Sequence, residues 1–98
     1  RFTAPANPQR HLYAASLLGA NISGAKDEDA GEILASAIIR IMRATGMPNG
    51  LSAVGYTEND VERLAEGTLP QHRVTKLSPR PADKAALESL FRAAMRYW

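Results

Sequence analysis

At 98 residues the chain is long enough for one domain with a modest core and no more. Hydrophobic residues at 45% and charged residues at 22% are the balance of a soluble globular protein, and 12 cationic against 10 acidic side chains is too slight an excess to argue for nucleic acid. The absence of Cys excludes a disulfide scaffold and fits an intracellular protein. No apolar run approaches the roughly 18–20 residues that span a bilayer. The chain opens on Arg1 rather than Met, so a longer precursor is expected and targeting signals are not to be sought here.

Asn7-Pro8 announces the first helix: Asn is a favoured N-cap, and the missing N–H of Pro is harmless at the first helical position. Tyr13, Ala14, Leu17 and Leu18 recur at helical spacing, with Gly19 as the stop. After a polar connection at Asn21–Lys26, the residues Asp27, Glu28 and Asp29 place negative charge where a helix dipole favours it. Ile33, Leu34, Ala37, Ile38, Ile41 and Met42 then form one apolar stripe, and Gly46 and Pro48 end it. That stripe predicts a core helix, in which Ile38→Ala would cost about 2–5 kcal/mol.

Thr57 and Asp60 read as a variant capping box, with Tyr56 and Val61 spaced for a hydrophobic staple. Leu64 and Ala65 continue the apolar face of this third helix, and Gly67 is its expected end. The last helix starts near Asp83 and carries Leu87, Leu90, Phe91, Ala94, Met95 and Trp98 on one face. Nothing alternates with period two. The expectation is an all-α domain over residues 1–98, with about four helices and a long loop, Thr68–Ala82, before the last. Loops of that size are usually functional or pinned to something else.

The candidates for chemistry are few. His11 and His72 belong to no ligand-spaced pair. His11 reads as a helix residue, and His72 lies in the long loop, open to contact with substrate or cofactor. There is no nucleophile elbow, no Cys nucleophile and no glycine-rich phosphate loop. The cations Arg73, Lys76, Arg80 and Lys84 form a basic cluster that reads as a solvated or interface loop, since no aromatic residues interleave with it.

Three stretches together carry a resemblance: RFTAPANPQRHLYAASLLGA, DAGEILASAIIRIMRATGMPNGLSAVGYTENDVERLAEGTL and PQHRVTKLSPRP. They resemble the C-terminal helical part of the iron-containing (group III) alcohol dehydrogenases, whose fold is dehydroquinate synthase-like. Within that family they are most similar to the hydroxyacid–oxoacid transhydrogenase branch. The resemblance implies a two-domain parent enzyme acting on an alcohol or a small hydroxy acid. An N-terminal α/β domain would bind NAD(P), and upstream helices would hold a divalent metal, iron or zinc, through one Asp and three His. Neither His11 nor His72 falls at a ligand position, so no catalytic, metal or cofactor residue is assigned within the chain, and by itself it is expected to be inactive. The family's loop before its Pro-Arg element would bring Val74, Thr75 and Lys76 toward the substrate cleft. Many members carry Asn ahead of that Pro-Arg pair; here it is Ser78-Pro79-Arg80.

The expected partners are therefore the missing nucleotide-binding domain and metal-binding helices, with self-association plausible through the apolar surface they would leave bare. Neither nucleic acid nor membrane is expected, and the expected compartment is the cytoplasm. The competing reading is a free-standing helical module that binds a protein or nucleic acid through its basic loop and last helix.

Overall fold

A computed structural model describes all 98 residues, and it is all-α, as the sequence patterns predict. Five α-helices are present: α1 Pro8–Leu17, α2 Ala30–Ala44, α3 Val61–Thr68, the one-turn α4 His72–Thr75, and α5 Lys84–Ala94, with short 3-10 turns between and before them. The chain divides into two compact units, Arg1–Met47 and Pro48–Trp98.

The first unit is the α1–α2 pair. Asn7 caps α1, its side-chain oxygen accepting from the Arg10 N–H at 3.1 Å. Gly19 and Gly46 stop the two helices, each with positive φ and with the paired backbone bonds of a Schellman motif, Ala20 N–H to Ala15 O and Met47 N–H to Met42 O among them. A 3-10 turn at Asp27–Asp29 leads into α2, and the Asp29 carboxylate accepts from the Lys26 backbone N–H at 3.0 Å. Buried here are Ala4, Leu12, Ala15, Ala30, Gly31 and Ala37.

The core of this unit is therefore built from smaller residues than the apolar stripes predict. On α1 the inward positions are Leu12 and Ala15, while Tyr13 and Leu17 are turned to the outside. On α2 only Ala37 of the predicted stripe is buried, and Ile38 is 42% exposed. Periodicity placed Ala37 of α2 correctly but not the face of α1, where Tyr13, Leu17 and Leu18 of the expected stripe are exposed and the neighbouring Leu12 and Ala15 are buried. The alanine-lined contact is too narrow to cover large residues at its edges.

The second unit packs α3 against α5, burying Val61, Ala65, Leu87 and Met95. The helical path begins with a 3-10 turn, Glu58–Asp60. The predicted capping box forms with Asp60 at its centre, the carboxylate accepting both the Thr57 N–H at 2.9 Å and the Thr57 hydroxyl at 3.0 Å. Gly67 does not end α3, which continues to Thr68, whose hydroxyl donates back to Leu64 O at 2.8 Å. Asp83 caps α5 through the Ala86 N–H at 2.8 Å. Beyond Ala94 the helix stops, so Trp98 is not on its apolar face.

That final segment is instead held by residues before α3. Asn49 Oδ1 accepts from the backbone N–H of Tyr97 at 2.7 Å and of Trp98 at 3.1 Å, and its Nδ2 donates to Trp98 O. The Ser52 N–H donates to Met95 O at 3.1 Å, satisfying a carbonyl that the end of α5 leaves without a helical partner.

The Thr57 hydrogen bonds, backbone first and then hydroxyl, hold the Asp60 carboxyl below the usual aspartate range. A carboxyl with a lowered folded-state pKa stabilises the fold above its unfolded value, near 3.9, and loses that contribution as the pH falls through the folded value. Wild type should therefore unfold at higher urea concentration than Asp60→Asn above about pH 5, with the gap closing as the pH drops below about 3.9. Urea midpoints across that range check it; a gap that stays constant would assign the difference to something other than ionised Asp60.

Candidate functional site

The segment from Leu69 to Ala82 joins α3 to α5 and contains α4. Its path is fixed by backbone bonds in series: Gln71 N–H to Thr68 O at 2.9 Å, Val74 N–H to Gln71 O at 2.8 Å and Lys76 N–H to His72 O at 3.0 Å. The long loop expected from the sequence thus holds one regular turn. Within it, the Thr75 hydroxyl is directed back at the backbone, 3.4 Å from Leu69 O and 3.3 Å from Gln71 O. Val74 and Lys76 are exposed. Of the three residues read toward a cleft, two project outward and the third helps hold the turn.

Charge is sharply sorted here. The 69–82 segment contains His72, Arg73, Lys76 and Arg80 and no Asp or Glu. Every carboxylate side chain elsewhere in the second unit is engaged. Lys84 bridges Glu62 at 3.0 Å and Glu66 at 2.9 Å, and Arg92 bridges Glu58 at 2.6 Å and Glu88 at 3.3 Å. Arg63 meets Asp60 at 3.0 Å, and Asp83 caps α5. The hydrogen bonds that Lys84 donates to Glu66 and Glu62 hold its ammonium above the ordinary range, and the bond Arg92 donates to Glu58 does the same for its guanidinium.

Lys84 therefore leaves the basic cluster in which the sequence had placed it. Arg73 and Lys76 remain, three residues apart on one turn and so neighbours on its surface, with no carboxylate partner. Lys84 begins the next helix, and its pairing depends on carboxylates about one helical turn apart on α3. The one sequence sign was the spacing of Glu62 and Glu66.

Neither histidine joins a donor set. The His11 ring is engaged at both nitrogens: Nδ1 lies 2.8 Å from Asn7 O, which can only accept, and Nε2 lies 3.0 Å from the Thr3 hydroxyl. Nδ1 therefore donates to the Asn7 carbonyl, and Nε2 is taken up by the Thr3 hydroxyl. No three His, Cys, Asp or Glu side chains converge, so the residues of this chain do not fit a divalent metal.

An open groove of about 330 Å³ in the first unit is lined by Ala20, Glu32, Ile33, Ser36, Ala37 and Arg40. Its polar groups are satisfied internally. Glu32 takes Arg1 Nε at 2.6 Å and the Ser36 hydroxyl at 3.2 Å, and Arg40 donates to Leu18 O at 2.7 Å. The Arg1 hydrogen bond keeps the Glu32 carboxyl ionised below its usual range. Nothing in this groove is poised for a ligand.

The chain belongs to one family: residues 1–95 match the model of the Fe-containing alcohol dehydrogenase family, C-terminal, and the all-α fold is consistent with it. The chain is 50% identical over 95 residues to a probable mitochondrial hydroxyacid-oxoacid transhydrogenase of Dictyostelium discoideum, covering 97% of this chain and 17% of that protein. It is 46% identical over 97 residues to the mitochondrial hydroxyacid-oxoacid transhydrogenase of Rattus norvegicus and 48% identical over 97 residues to that of Xenopus tropicalis, covering 99% of this chain and 21% of each. The chain thus spans about a fifth of the length of these relatives. No solved structure gives a significant match. The resemblance drawn from the sequence, branch included, is borne out.

Proposed function

We propose that the chain is the C-terminal helical part of a longer oxidoreductase that moves hydride between a hydroxy acid and an oxo acid, using a nicotinamide cofactor and a divalent metal held by residues upstream. What supports this reading above all is the near-complete coverage of the chain by hydroxyacid-oxoacid transhydrogenases at roughly half identity. The metal would polarise the reacting oxygen. The part of these residues is to shape the wall of the cleft, with Val74 and Lys76 facing it and Thr75 fixing the turn that presents them. The outward Tyr13, Leu17, Ile38 and Ile41 suit surfaces covered by the rest of such a protein, or by a second copy.

The relatives carry the word mitochondrial in their names, which favours that compartment over the cytoplasm expected from composition. No helix is long and apolar enough to cross a membrane.

The test is expression of the whole reading frame and of these 98 residues separately. The full protein, supplied with divalent iron or zinc, should couple oxidation of a small hydroxy acid to reduction of an oxo acid, and the 98-residue piece should turn over neither. A full protein without that coupled exchange would overturn the assignment.

A further inference from the structure

We infer that Arg73 and Lys76 form a carboxylate-recognising pair for the acid substrates, an inference that rests on the hydroxy-acid reading above. The observation behind it is the charge sorting of the second unit. Six acidic side chains lie in Pro48–Trp98, namely Glu58, Asp60, Glu62, Glu66, Asp83 and Glu88, and each is held by a partner outside α4. Arg73 and Lys76 are left on one turn with no carboxylate partner, although carboxylates are plentiful a few residues away.

Spacing and surroundings favour a small carboxylate. Side chains three apart on a helical turn are about 5–6 Å apart at Cβ, close enough for a guanidinium and an ammonium to converge on one anionic group. Val74, 57% exposed, and Leu77, 79% exposed, follow them in sequence and offer apolar surface to the carbon chain of a small acid. Dinucleotide phosphates are usually met by backbone N–H groups of a glycine-rich turn opening a helix, and the 69–82 segment contains no glycine.

Both reactants of the proposed exchange carry a carboxylate that does not react. A group that holds it does so equally in ground state and transition state, so its removal raises KM and leaves kcat nearly alone. Losing one charge-assisted hydrogen bond corresponds to about a 10- to 100-fold change.

The experiment uses the full-length protein with Arg73→Gln, Lys76→Gln and the double variant, and with Arg10→Gln as a control cation in the other unit. Each substitution in the pair should raise KM for both the hydroxy acid and the oxo acid by about 10- to 100-fold. The kcat should stay within about threefold, and KM for an uncharged alcohol of the same carbon skeleton should not move. Arg73→Lys should recover part of the loss, and Arg10→Gln should behave as wild type. If wild type exchanges the acids but the double variant keeps its KM, the pair is not the carboxylate site and the reaction assignment stands. If the double variant instead weakens nicotinamide binding, the anion met is a phosphate and the inference is overturned. A wild type that exchanges no acids removes this inference together with the reading beneath it.

Discussion

Replacing Gly50 with Ala is expected to destabilise the protein by about 2–5 kcal/mol, combining backbone strain with overpacking. Gly50 has φ 71° and ψ −170°, a region that only glycine occupies comfortably. An added Cβ would also sit 2.5 Å from both Ala94 O and Met95 O. Those are backbone atoms of the α5 terminus, so no side chain can rotate out of the way. The neighbouring residues make the contact compulsory: Asn49 grips the backbone of Tyr97 and Trp98, and the Ser52 N–H takes Met95 O. Chemical denaturation of wild type and Gly50→Ala provides the measurement. A difference below about 0.5 kcal/mol, the ordinary range for a surface substitution, would mean the close approach does not exist in solution.

Leu87→Ala should cost about 2–5 kcal/mol, and Ile38→Ala about 1 kcal/mol or less. Leu87 is 6% exposed on the inner face of α5, within the unit where α3 buries Val61 and Ala65, and its truncation leaves a void that helix caps on either side resist closing. Ile38 has the more persuasive sequence context, in the middle of a long apolar stripe, yet 42% of it is exposed. Burial and not pattern sets the loss, because only area removed from water in the folded state is forfeited on truncation. Denaturant midpoints of the two variants, measured side by side, would reverse in order if the stripe were the true core.

What the sequence shows reliably is local chemistry. The Asn7 cap, the start of the last helix near Asp83, the stops at Gly19 and Gly46 and the pairing of Thr57 with Asp60 are local readings, and each is found. The family resemblance carried through the same stretches. What the sequence does not show depends on distant residues. Nothing near Asn49 announces that it will hold the backbone of Trp98, and the turn at His72–Thr75 lies in a stretch without helical periodicity. The basic cluster illustrates both halves: its members are visible in the sequence, but only the three-dimensional pairing of Lys84 with Glu62 and Glu66 reveals which cations are committed.

The alanines at the centre of both units have a consequence for how this sequence can drift. Ala15, Ala30 and Ala65 are fully shielded, and Ala4 and Ala37 nearly so. Such positions have little volume to lose, so the usual route to a damaging void is closed there. Any enlargement, even by one methylene, pushes neighbouring backbone or forces strained rotamers. Variation in this domain is therefore asymmetric: its interior resists growth far more than shrinkage.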